Sequence, residues 1–266
     1  MSAAARRLGF ALAAAGLVVV GLVVGSLLVP GSGSSAPAGS GAGGGSAASV
    51  STRVRGAGNG ADSDTGVLRM GVSLVANVRG TRPFAVYRRL GATRPTRRLA
   101  GPAARVYLVR ERRPGGWLRV LLPVRPNGAS GWIRARRVEL RTNPYRIDVH
   151  LRAHRLVVRR GDRTVLRTPI GVGRAATPTP RGIAYVTRLL RQPDPHGAYG
   201  PWAFGLSVYS PVLTSFGGGP GEVGIHGTDA PAGIGRDVSH GCIRLPNAAI
   251  ERLARTLPLG TPVRIA

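Results

Sequence analysis

The sequence predicts a mainly β protein that follows an apolar N-terminal segment. Short apolar runs of strand length recur from residue 67 to the C-terminus. Turn-forming residues separate them, within a total of 40 Gly and 21 Pro. A single stretch beyond residue 66, close to the C-terminus, has clear helical spacing. A chain of 266 residues has room for one large domain or two modest ones, and its 43% hydrophobic content is compatible with a folded core.

Residues 1–7 end in Arg6 and Arg7 and read as a short cytoplasmic tail. Residues 8–29 run without a charge, long enough to cross a bilayer as a transmembrane helix or uncleaved signal anchor. Ala36-Pro37-Ala38 resembles a signal cleavage site, although it lies well past the apolar run. Retention and cleavage both export the remainder. The expected location is therefore the cell membrane, single-pass, with the folded part on the extracytoplasmic side. Residues 30–66 are dominated by Gly, Ser and Ala and read as a flexible linker with a span on the order of 30–35 Å.

Residues 67–142 form a small β module. Its strands are signalled by Phe84-Ala85-Val86-Tyr87, Val106-Tyr107-Leu108-Val109, Trp117-Leu118-Arg119-Val120-Leu121 and Gly131-Trp132-Ile133. Pro114-Gly115-Gly116 and Pro126-Asn127-Gly128 supply turns. Trp117 and Trp132 are expected in its core. The Gly-Trp-Leu-Arg-Val and Gly-Trp-Ile runs resemble bacterial SH3-like domains, which implies a small β-barrel that binds cell-wall peptide or acts as a spacer.

Residues 143–266 form a second folded unit. Residues 146–151 alternate polar and apolar, Gly161-Asp162 is a turn, and strand character continues over 164–172 and 183–187. Ile250, Leu253, Ala254 and Leu257 mark one face of a helix that Asn247 is placed to cap. Pro258-Leu259-Gly260 ends it, and Val263-Arg264-Ile265 reads as a last strand.

The formal net charge is +27, and all 38 basic residues are arginine. Residues 67–142 hold 18 Arg against Glu111 and Glu139, a net of +16; residues 143–266 hold 16 Arg against 7 acids, a net of +9. Export makes nucleic acid an unsuitable partner and anionic envelope polymers a suitable one, with docking centred on the module. A GC-rich genome accounts for such a composition equally well.

Cys242 is the only cysteine and has no intramolecular disulfide partner. It lies in Ser239-His240-Gly241-Cys242-Ile243-Arg244, downstream of Gly224-Ile225-His226-Gly227-Thr228. A thiol attacks a carbonyl as thiolate, and a histidine base assists its deprotonation. His240 and His226 are both candidates. The N–H groups of Gly241 and Cys242 are candidate oxyanion donors. Arg244 suits a thiolate or a substrate carboxylate. A zinc site built from His226, His240 and Cys242 lacks a recognisable ligand spacing. Ser239 lacks the context of a serine nucleophile.

These residues closely resemble the signature of the L,D-transpeptidase catalytic domain. Agreement extends to Pro178-Thr179-Pro180-Arg181-Gly182 and residues 205–219, and Arg244 stands where one form of the motif has Asn. The resemblance implies a β-sandwich with a short C-terminal helix. It implies Cys242 as nucleophile and His226 as base, oriented by a backbone carbonyl near Gly227. Ser239, His240 and Gly241 shape the pocket, with Arg244 and Tyr209 on the substrate side. It implies peptidoglycan stem peptides as donor and acceptor, 3→3 cross-links with release of D-alanine, and no cofactor. An L,D-carboxypeptidase and a non-catalytic wall-binding protein are the alternatives.

Overall fold

The computed structural model describes residues 71–266. The expected tail, apolar segment and linker lie outside the described residues. Among the described residues no helix is long and apolar enough to cross a membrane.

The first seven strands are β1 (Ser73–Val78), β2 (Phe84–Val86), β3 (Arg97–Leu99), β4 (Val106–Arg113), β5 (Trp117–Leu121), β6 (Ser130–Arg134) and β7 (Val138–Asn143). Five of them form an antiparallel sheet in the order β6-β5-β4-β1-β7, and β2 and β3 pair as a hairpin. Where the sequence suggests a small barrel, the five strands run in linear order from β6 to β7, and β6 also bridges the β2–β3 hairpin: Tyr87, just after β2, exchanges backbone bonds with Trp132 at 2.8 Å each way. The one-turn 3-10 helix Ala135–Arg137 carries the chain from β6 to β7. Phe84, Tyr107, Leu118, Val120 and Ile133 fill the core. Trp117 is buried under the Arg134 guanidinium, 3.5 Å from its ring centroid. Trp132 departs from expectation: it is half-exposed, because it alternates with buried Gly131 and Ile133 and so points to the other face.

The remaining strands are β8 (Tyr145–His150), β9 (Arg155–Arg160), β10 (Arg163–Pro169), β11 (Val172–Gly173), β12 (Gly182–Arg191), β13 (Trp202–Tyr209), β14 (Glu222–His226), β15 (Asp237–Ser239), β16 (Ile243–Arg244) and β17 (Pro262–Ile265). Helix α1 (Asn247–Thr256) lies between β16 and β17. Eight strands form one sheet, β10-β9-β8-β17-β12-β13-β14-β16, and β11 pairs with β15.

The expected sandwich is thus built from one continuous curled sheet. Its corner is β12, whose first residues pair with β17 and whose later residues pair with β13, with a register shift between Val186 and Arg188. A strand that changes partners at an irregularity lets a sheet fold over its own core. Both ends of the sheet feed a single core, including Ile147, Leu156, Phe204, Ile225, Ile243, Ile250 and Leu253. The helix buries Ile250 and Leu253, as its spacing predicts.

Asn247 is a correction. It is the first helical residue, Pro246 occupies the cap position, and no side-chain cap bond forms. The Asn247 Oδ1 instead accepts the N–H of Thr228 at 2.8 Å, tying the helix start to the segment after His226.

The two sheets share packing. Val75, Val106, Leu108 and Leu121 of the first cluster with Tyr185 of the second. The Tyr185 hydroxyl donates to Leu121 O at 3.3 Å, and Asn143 Nδ2 donates to Thr261 Oγ1 at 3.0 Å.

Candidate active site

Strands β14 and β16 are parallel neighbours, with Ile225 opposite Ile243 and His226 opposite Arg244. Gly224, His226, Cys242 and Arg244 therefore face the same side of the sheet. This register brings together a histidine and a cysteine sixteen residues apart. The Gly224 N–H points at the thiol, 3.4 Å from Cys242 Sγ.

His226 is buried, and its Nδ1 lies 2.6 Å from Gly227 O. A carbonyl only accepts, so Nδ1 carries the proton and Nε2 is left with a free lone pair. The Tyr199 ring covers the imidazole at 4.8 Å between centroids. Burial lowers the His226 pKa to about 4, helped by the Arg244 charge and opposed by Gly227 O and Asp229. Burial raises the Cys242 thiol, and the Gly224 N–H and Arg244 partly offset this. Both shifts favour a neutral thiol beside a neutral imidazole at rest.

Ser239 is buried, and its hydroxyl shapes the turn before the thiol. It donates to Cys242 O at 2.5 Å and accepts the Gly241 N–H at 3.1 Å. That bond engages one of the two expected oxyanion donors within the turn. Gly241 has φ 116, a conformation other residues rarely adopt. His240 is exposed, and its Nε2 meets the Arg174 guanidinium at 2.7 Å. Loss of solvation and the nearby Arg174 and Arg244 charges hold its pKa below the ordinary value.

The Pro178–Gly182 run ends a segment that braces this turn. Thr177 Oγ1 donates to Ser239 O at 3.1 Å, and Thr179 Oγ1 donates to Gly241 O at 2.9 Å. The side chains at 177 and 179 are therefore supports for Cys242, a role not read from the sequence. The Pro-Thr-Pro context was the available signal.

Two clefts meet at Cys242, and His226 and Phe216 line both. One, of about 110 Å³, is walled by Phe204, Gly205, Gly224 and the Arg188–Glu222 ion pair, closed at 2.6 Å. Burial raises the Glu222 carboxyl, against the pull of Arg188. The other, of about 350 Å³, is bounded by the segment from Gln192 to Tyr199 and by His240 and Arg244. Tyr209 is a correction: it lines neither cleft. Its hydroxyl donates to Pro123 O at 2.8 Å and its ring faces Arg125, because it ends β13 on the side toward the first sheet. Among the described residues no group of three or more His, Cys, Asp or Glu is placed to hold a metal ion.

Residues 144–265 match the L,D-transpeptidase catalytic domain family, YkuD. The YkuD proteins of Bacillus licheniformis and Bacillus subtilis, named as L,D-transpeptidases, are 40% and 38% identical over 124 residues. The match covers 47% of this chain and 67% of each of theirs. YbiS of Escherichia coli, named likewise, is 33% identical over 121 residues, covering 40% of this chain and 39% of its own. A solved L,D-transpeptidase from Mycobacterium smegmatis is 17% identical with a TM-score of 0.39, covering 73% of this chain and 99% of that one. The chain belongs to the L,D-transpeptidase catalytic domain family.

Proposed function

We propose that this protein is an L,D-transpeptidase that forms 3→3 peptidoglycan cross-links through an acyl-enzyme on Cys242. The observation that carries the reading is a thiol at the junction of two clefts, beside an imidazole whose Nδ1 is held by Gly227 O. In the first half-reaction His226 Nε2 takes the thiol proton as Sγ attacks the carbonyl of the residue before the terminal D-alanine. The imidazolium returns that proton to the departing amine, and D-alanine leaves. In the second, the side-chain amine of another stem attacks the thioester and gives a proton to His226. Collapse forms the new amide and expels the thiolate, which regains the proton.

The Cys242 N–H is the proposed donor to the developing oxyanion. Arg244, in the larger cleft, suits a substrate carboxylate or the thiolate. Two clefts meeting at one thiol favour an amine acceptor over water, and so favour transpeptidation over the L,D-carboxypeptidase reaction. The paired His226 and Cys242 favour an enzyme over a non-catalytic wall-binding protein. We place the reaction outside the membrane, with residues 8–29 as anchor and residues 30–66 as tether.

Incubation with tetrapeptide stems, followed by mass spectrometry, tests this. Cross-linked dimers with loss of D-alanine are expected, with a covalent carbapenem adduct on Cys242. A Cys242→Ala protein that still cross-links would refute the nucleophile. Tripeptide as the only product would make it a carboxypeptidase.

A further inference from the structure

The loop between β13 and β14 is pinned by a residue that belongs to the other sheet. Arg125 follows β5, and its guanidinium donates to three carbonyls: Ser210 O at 2.7 Å, Leu213 O at 2.9 Å and Pro220 O at 3.0 Å. The first two lie on the outgoing leg of the loop and the third on the returning leg. One planar, permanently charged fork therefore staples both legs, a geometry the single ammonium of lysine does not reproduce.

Neighbouring contacts hold the same end. Asn127 mimics a strand against Tyr209, accepting its N–H at 2.9 Å and donating to its O at 2.8 Å. Arg125 also lies 5.1 Å from the Tyr209 ring centroid. Gly221 closes the loop at φ 71, packed so tightly on Leu213 O that a side chain there would overlap it.

At the loop's far end Phe216 and Gly219 exchange backbone bonds at 2.9 and 3.0 Å, forming a tight turn. Phe216 itself is exposed, yet its ring lies 5.3 Å from that of His240, and it lines both clefts at Cys242. No core packing holds it; its place depends on the legs of its loop.

We propose that Arg125 is a positioning residue for the reaction at Cys242, fixing the β13–β14 loop so that Phe216 stays over the junction of the two clefts. The first sheet is then a working part of the active site and more than a spacer or wall-binding module. The donor-turnover consequence rests on the transpeptidase reading; the loop-positioning consequence does not.

The lone thiol makes the test direct. Wild type, Arg125→Ala, Arg125→Lys, Phe216→Ala and the double Ala variant are compared, with circular dichroism to confirm folding. Each is treated with iodoacetamide, a small reagent, and with Ellman's reagent, a bulky aromatic dianion. Arg125→Ala is expected to speed the Ellman reaction on the order of tenfold, the scale of one lost hydrogen bond to a charged donor, and to change iodoacetamide less than about twofold. Removing a cation would by itself slow a dianion, so acceleration isolates the geometric effect.

Phe216→Ala should reproduce the acceleration, and adding Arg125→Ala to it should do nothing more. Arg125→Lys should fall between. With tetrapeptide donor, Arg125→Ala should raise KM more than it lowers kcat. An unchanged ratio of the two reagents, or effects of the two substitutions that multiply, would overturn the proposal. A wild type that releases no D-alanine would sink the transpeptidase reading while leaving the reagent ratio to decide the role of Arg125.

Discussion

The acid limit of activity follows from the surroundings of His226. The perturbation is a pH titration from 7 to 3.5. The group that matters is the His226 Nε2 lone pair, present only in the neutral imidazole. Burial, with Arg244 in support, brings its pKa to about 4 from an ordinary value of 6.5. At pH 5.5 an ordinary histidine would be about 10% neutral, whereas one at pKa 4 is about 97% neutral. The structure therefore predicts near-full activity at pH 5.5 and a decline of about tenfold per pH unit only below about 4. Because the thiol shifts the opposite way, the neutral pair should dominate between the two limbs, and the alkaline limb should report the pair.

The assay is single-turnover acylation by a carbapenem, read by intact mass across that range. The same shift has a stability counterpart. Between about 6.5 and 4 the unfolded chain binds a proton that folded His226 refuses, so stability falls as pH drops through that window. The loss approaches roughly 3 kcal/mol, measured by urea unfolding, and should vanish in His226→Ala. An acid limb near 6.5 would refute the reasoning, because it would mean that the imidazole is not desolvated as its burial implies.

Three further outcomes are expected. A Cβ at Gly227 would overlap Asn247 Oδ1 and come within 3.0 Å of Gly200 Cα. Gly227→Ala should therefore displace the carbonyl that orients His226, with donor turnover falling at least about a hundredfold and stability by about 1–3 kcal/mol. Asn247→Ala should cost about 1–3 kcal/mol in urea unfolding by orphaning the Thr228 N–H. Asn247→Ser, a good helix cap, should not recover that loss. Phe204 is fully buried between the partners of β13, and Phe204→Ala should cost about 3–5 kcal/mol by differential scanning or urea unfolding.

Legibility in the sequence tracked the range of the interaction. Strands around Ile147, Val158 and Ala184, and the helix with Ile250 and Leu253 inward, were readable because period and turn residues act over a few positions. Asn247 was misread as a cap because its partner, Thr228, lies 19 residues back, across the fold. Tyr209 was assigned to the substrate side by resemblance, but its hydroxyl is taken by Pro123, 86 residues away. Trp132 showed the limit of composition: an aromatic in a strand marks the strand and leaves open which face it occupies. Thr179 and Phe216 lie in segments the resemblance marked and Arg125 in none, but the role of each stayed hidden because each acts on a segment distant in sequence.

The sequence by itself determined the chemistry on offer: one thiol, two nearby histidines, and spacing that resembles the transpeptidase signature. It also determined the elements that carry them, because hydrophobic period is a local property. Only the tertiary structure decided which atoms meet. Parallel pairing of β14 with β16 places His226 and Cys242 on one face, and the Gly227 carbonyl selects the imidazole tautomer. The turn binds the Gly241 N–H to the Ser239 hydroxyl. A guanidinium 85 to 95 residues away binds both legs of the loop whose Phe216 lines both clefts. Hydrogen bonds and burial depend on distance in space, and the chain sets that distance only once both sheets have closed on their shared core.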